Sequence, residues 1–198
     1  MKIRVLMVTA VAFALAACGA SEQATTADNV AHDNMAMDAG DLTVDNAVVG
    51  TAMPATGHDY ATLAAGGDMY EIESSRLAID KSQNADVKQL AQMIVTDHEK
   101  ATADLKTAAG RAQPPITVVA AMNPGQQANL DMLRAADTKT FDQIYLRQQV
   151  AAHQEALAMI QAYAATGEVL PLKEHATAVA GPIQKHLGRA QQLIQQPR

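Results

Sequence analysis

His98, His153 and His186 are the residues whose type and spacing point most directly to chemistry. Val87, Leu90, Ala91, Ile94 and Val95 recur three and four apart, and the stripe lands one turn later on His98 before passing to Ala101, Thr102 and Leu105. That spacing is the pattern of an amphipathic helix, whose apolar stripe faces the core. Leu146, Val150, Leu157 and Ile160 set His153 on such a stripe, and Val179, Ile183, Ala190 and Leu193 do the same for His186. A single inward histidine is ordinarily a satisfied core residue. Three on separate helices satisfy one another only partly, because a neutral imidazole offers one donor and one acceptor. Converging in a core, they would form a metal site or a hydrogen-bonded cluster with a carboxylate. Glu71 and Glu73 are the candidates for that carboxylate, and Glu71 is preferred because it shares a small-residue face with Gly67, Ser74, Ser75 and Ala78. Glu73 falls with Met69, Arg76 and Asp80 on a face that looks solvated.

One carboxylate and three imidazoles suit a single Zn, Cu, Ni or Fe ion. Asp97 adjoins His98 but projects about 100° around the helix, which makes it a supporting group rather than a ligand. His175 lies toward the edge of the last helix's stripe, and His32 and His58 fall outside the expected bundle. Tyr70, Phe141, Tyr145 and Tyr163 sit at helical positions suited to core packing.

The elements that must position these residues read as helix after helix. Asp59 is a plausible cap for a helix over 60–82, and Asn84 for one over 85–110, which Gly110 and Pro114-Pro115 end. A short helix over 125–136 follows Asn123-Pro124-Gly125. Asp137 can cap a third long helix closed by Gly167 at a C′-like position, and a fourth spans 171–195 with Pro182 inside it. Pro182, one turn before His186, reads as punctuation at a bend. Four long amphipathic helices with short connections predict an all-α, antiparallel four-helix bundle with a short extra helix between the second and third long helices.

The N-terminus reads as a targeting segment. Lys2 and Arg4 precede an apolar run from Val5 to Ala14, too short to span a bilayer, and Leu15-Ala16-Ala17-Cys18 follows. This arrangement resembles the lipobox of bacterial lipoproteins. The resemblance implies that residues 1–17 are a signal peptide and that Cys18 carries a lipid anchoring the protein to a membrane. Gly19, where lipoproteins kept in the inner membrane often have Asp, points to the outer membrane and its periplasmic face in the bacterial envelope. Cys18 is the only cysteine, so no intramolecular disulfide can form. Residues 18–58 hold six acidic residues and no Lys or Arg, without periodicity, and read as a disordered tether to the domain at 59–198. Within it His32, Met35 and Met37, with Met53 and His58 beyond, are the ligand types that suit Cu(I); a tether carrying a few methionines is the simpler reading. Loss of Lys2 and Arg4 would take the formal charge from −6 to −8, which argues against nucleic acid as a partner.

The blocks "AAGGDMYEIESSRLA", "MIVTDHEKATADL", "FDQIYLRQQVAAHQEALAMI" and "GPIQKHLGRAQQL" resemble, in order and spacing, those of the domain of unknown function 4142 family. The resemblance covers roughly Asp59 to Leu193 and implies a ferritin-like bundle in an envelope protein. Glu71, Asp97-His98, His153 and His186 stand at that family's polar positions. Gly181-Pro182 departs from its usual Leu-Pro. A ferritin-like bundle invites a di-iron centre, but that chemistry needs two Glu-x-x-His motifs and no Glu here is followed by His three residues on. Three function classes remain. They are an envelope protein binding one metal ion, a structural or interaction module with an unknown envelope partner, and, least supported, an enzyme, since no nucleophile or phosphate-loop motif is present.

Overall fold

A computed structural model describes residues 53–196. Cys18, the segment 1–17, and the tether residues His32, Met35 and Met37 lie outside the described residues. Within the described residues the chain forms five helices and no strand, in the order α1 (Gly57–Lys81), α2 (Ala85–Gly110), α3 (Pro124–Ala135), α4 (Phe141–Thr166) and α5 (Leu170–Ile194). None is long and apolar enough to cross a membrane.

Local chemistry sets the helix ends. Helix α1 begins earlier than the Asp59 cap predicts, because Thr56 is the cap and Asp59 occupies the third helical position. The Thr56 hydroxyl accepts from the Asp59 N–H at 3.2 Å while the Asp59 carboxylate accepts from the Thr56 N–H at 3.0 Å. His58 therefore sits in the first turn of α1, exposed, rather than in the tether. Asn84 caps α2 as expected, and Asn123 and Gln126 form a second capping box on α3. Helix α4 starts later than predicted. Asp137 instead holds a turn, accepting from the N–H groups of Lys139 and Thr140 and from the Thr140 hydroxyl. Gly167 ends α4 with φ −56°, so no left-handed cap is needed there. Its lack of a side chain matters because a Cβ would stand 2.6 Å from the Tyr163 ring.

Contacts between helices show how they run. Tyr60 stacks on Tyr163, Tyr70 meets Gln148 and Ser75 meets Tyr145, so α1 and α4 are antiparallel. Asp86 with Arg189, Asp97 with His186 and Ala101 with His175 give the same sense for α2 and α5. Helices α1 and α2, and α4 and α5, pack as hairpins across short connections. The segment between α2 and α4 returns the chain along the bundle, and α3 lies on α1 and α4. Lys81 fixes the end of α3 by donating to the carbonyls of Leu133, Arg134 and Ala136 at 3.0, 2.8 and 2.8 Å.

The core is divided in two. One apolar cluster includes Tyr60, Leu105, Ile160, Tyr163, Leu172 and Ile183. The other includes Leu90, Ile94, Leu133, Phe141, Tyr145 and Leu193. Asp68, Glu71, Ser74, Ser75, His98, Gln148, Gln149, His153 and His186 fall between these clusters along the four long helices, so the bundle carries a polar layer between two apolar ones, while His175 lies within the first cluster.

Close packing outside that layer yields the first prediction. A Cβ on Gly66 would stand 2.3 Å from the Ala121 carbonyl oxygen, a backbone atom, whereas a Cβ on Gly67 meets nothing within 4 Å. Gly66→Ala should cost about 1–3 kcal/mol. Gly67→Ala should gain up to about 1 kcal/mol through helix propensity. Urea unfolding of both variants checks the contrast, and equal effects would contradict this packing of α1 against the 111–123 segment.

Candidate metal centre

Helices α2, α4 and α5 each contribute one buried histidine to the polar layer. Their ring centroids are separated by 5.7 Å (His98 to His153), 5.6 Å (His98 to His186) and 5.3 Å (His153 to His186). One nitrogen from each ring lies within 4.8 Å of the others, a cluster able to hold a metal ion.

Hydrogen bonding on the outer side of each ring fixes which nitrogen carries a proton. His98 Nδ1 stands 2.8 Å from Asp68 Oδ1, an acceptor, so Nδ1–H donates and Nε2 is the nitrogen left for a ligand. His153 Nδ1 is 2.9 Å from the Gln149 carbonyl oxygen, which again requires Nδ1–H and leaves Nε2 bare. His186 Nε2 is 2.9 Å from Asp97 Oδ2, so its bare nitrogen is Nδ1. His153 Nε2 and His186 Nδ1 then face each other at 3.3 Å, lone pair against lone pair. His98 Nε2 is buried without a partner. Two bare nitrogens so placed repel unless a proton or a cation sits between them. Two imidazoles bound tetrahedrally to an ion at about 2.0–2.1 Å stand roughly 3.3–3.4 Å apart. The residues present therefore fit a metal ion.

Burial sets the charge state of two of the rings. It lowers the His153 pKa, an effect that His98 and His186 reinforce, and it lowers that of His186 despite the Asp97 hydrogen bond. Both rings are thereby kept neutral, the form that binds metals. Burial acts the same way on His98, but the hydrogen bond and charge of Asp68, with Glu71 and Asp97, outweigh it and raise the pKa.

Glu71 faces inward and is buried, whereas Glu73 lies beside Arg76 at 3.6 Å on the surface. Glu71 Oε1 is 3.6 Å from His153 Nδ1, on the ring's outer side, and Oε2 is buried without a partner. The cluster within ligand reach among the described residues consists of the three histidines. The Glu71 carboxyl is pushed up to about 7, chiefly by burial, with His98 and Gln149 acting against the rise and Asp68 adding to it. Such a group costs no stability below about 4.3, where the unfolded carboxyl is also protonated. The cost grows as pH rises and is complete above about 7. In metal-free protein, Glu71→Gln should thus stabilise by about 2.5 kcal/mol more at pH 8 than at pH 5. Urea unfolding with chelator at both pH values reads this difference, and an equal effect at both would contradict it.

Sequence reasoning missed Asp68. It lies three residues before Glu71, one helical turn along the same small-residue face, and that i to i+3 relation was the available signal. Its second oxygen accepts from the Thr102 hydroxyl at 2.8 Å. The Gln149 carbonyl could not have been found, since a backbone oxygen leaves no mark in a side-chain pattern. His175 is buried yet fully satisfied: Nε2–H donates to the Ala101 carbonyl at 3.1 Å and Nδ1 accepts from the Tyr60 hydroxyl at 2.8 Å. It is the bland core histidine that the other three are not.

A family model described as "Domain of unknown function (DUF4142)" matches residues 43–193. No curated protein matches the chain by sequence. Among solved structures the chain is similar to CopM in the Cu(I)-bound form, with 21% identity and a TM-score of 0.59 over 71% of this chain and 96% of that one. CopM in the Cu(II)-bound form and in the Ag-bound form are similar to the same degree, over 97% and 96% of their chains. At this identity the likeness shows a shared helical-bundle fold.

Proposed function

Because the chain belongs to the DUF4142 family, whose description assigns no activity, we propose from the site itself that it binds a single transition-metal ion through His98 Nε2, His153 Nε2 and His186 Nδ1. The carrying observation is the convergence of three imidazole nitrogens whose rings' outer N–H groups are each pinned by an acceptor. Outer hydrogen bonds of this kind fix the tautomer and orientation of metal-binding histidines. Imidazole suits Zn, Cu, Ni and Fe, and the order of divalent affinities places Cu(II) highest. Copper is the first candidate for that reason, and the Cu-bound and Ag-bound forms of the similar CopM bundle support it. The single long return between α2 and α4 supports a ferritin-like topology. Lipid anchoring at Cys18 in the bacterial envelope, probed by metabolic labelling with a fatty acid, is proposed on the run Lys2 to Cys18. Outer-membrane residence facing the periplasm is proposed on Gly19.

A second reading, a polar layer that only sets helix register, is favoured by bonds that tie α1 to α4 without any ion, such as Ser75 to Tyr145 and Gln149 to Ser74. Metal analysis separates the two. Untagged protein beginning after Cys18, incubated with Cu, Zn or Fe salts and desalted, should keep about one ion per chain, and a His98→Ala/His153→Ala variant should keep none. Absence of metal from the parent in all three salts would leave the register reading in its place.

A further inference from the structure

A cavity of about 220 Å³ opens beside His98 and His186 of the histidine cluster. Its apolar walls come from Ala64, Gly67, Ala152, Ala156, Met159 and Ile183. The space exists because α1 and α4 place alanine and glycine where a filled bundle core would carry leucine. Its polar end is formed by Asp68, Glu71, His98 and His186. Two atoms there, His98 Nε2 and Glu71 Oε2, are buried without partners. The lining reaches the exposed Lys100 and Asp104, which gives a path from solvent.

We infer that this cavity binds a small molecule with a compact apolar body and one uncharged nitrogen or sulfur donor, the donor completing the coordination of the ion held by His98, His153 and His186. The inference rests on the metal reading above. Three protein nitrogens leave a tetrahedral ion one open position. The apolar walls reward an apolar body, since burying it removes that surface from water. Asp68, Glu71 and Asp97 surround the ion with carboxylates, which disfavours an anionic head. Glu71 Oε2, otherwise without a partner, can accept a hydrogen bond from an N–H on the ligand.

Imidazole and 4-phenylimidazole share a donor and differ in the apolar body, so they test the cavity directly. Titrated into Cu(II)-loaded protein and followed by the visible copper bands, 4-phenylimidazole should bind at least about tenfold more tightly than imidazole, and azide more weakly than imidazole. Ala156→Leu and Ala64→Leu fill the space from different helices, and either serves if the other fails to fold. Each should keep its metal and bind imidazole as before, while the preference for 4-phenylimidazole falls below about threefold. Equal affinity of the two ligands in the parent, or a preference untouched by filling, would overturn the inference, as would 4-phenylimidazole binding equally well without metal. Azide binding more tightly than imidazole would overturn the uncharged donor. Failure of the metal reading is seen earlier and separately, in the copper content before any ligand is added.

Discussion

His153→Ala is expected to weaken copper binding by more than about 100-fold, whereas His175→Ala should leave it within a few-fold of the parent. The contrast follows from hydrogen bonding, since both histidines are buried. His153 spends only Nδ1–H on the protein and turns a bare Nε2 toward His186 Nδ1. His175 spends both nitrogens, one on Ala101 and one on Tyr60, and has none to give. Loss of a supporting hydrogen bond at a metal site typically costs 10–100-fold in affinity, so loss of a ligand should cost more. Stability should show the reverse order. Without metal, His175→Ala strands the Tyr60 hydroxyl in the core and should cost about 1–3 kcal/mol. His153→Ala relieves a lone-pair conflict and should cost less than its burial suggests. With metal at 100 times the parent's dissociation constant, His153→Ala should gain less than about 0.4 kcal/mol and the parent about 2.7 kcal/mol. For a domain of this size that is a rise in Tm of roughly 5–10 °C. Calorimetry with and without copper reads all four values. A His153→Ala protein that still gained the full shift would refute the site.

Much of this was legible in the residue pattern, for definite reasons. The apolar stripes ending on His98, His153 and His186 foretold inward imidazoles because helical periodicity is a statement about faces, and all three are buried. Asn84 gave the start of α2 because an N-cap acts locally. The start of α1 was misplaced because Thr56 and Asp59 are both good caps, and only the reciprocal bond between them decides which leads. Glu71 was correctly turned inward, but a periodicity cannot say whether a carboxylate reaches the bare or the protonated side of a neighbouring ring. The cavity left no signal either. A run of alanines reads as a strong helix former, and whether facing helices fill the space depends on residues far apart in the chain, such as Ala64 and Ile183.

Asp68 and Asp97 make the same kind of bond to different histidines, and their settings should separate their effects. Asp68 lies within the core, accepting from His98 Nδ1–H and the Thr102 hydroxyl, both at 2.8 Å. Asp97 holds His186 at 2.9 Å, but its side chain is 37% exposed. Removing Asp68 leaves two donors without their acceptor in a largely buried setting, and one of them belongs to a ring whose pKa is held above its usual value. Asp68→Ala should therefore cost metal-free protein about 3 kcal/mol or more. Asp97→Ala should cost about 1 kcal/mol or less, because solvent reaches the vacated position. Asp68→Asn, whose amide oxygen can still accept from His98, should fall between them. Metal affinity should not follow this ranking, since either aspartate fixes the tautomer of one ligand and each loss should weaken binding about 10–100-fold. Chelator-treated urea unfolding and copper competition on the same three variants give both scales. If the two scales rise together across the variants, the aspartates act only by holding the bundle closed. If stability separates them while affinity does not, their common task is to aim lone pairs at an ion.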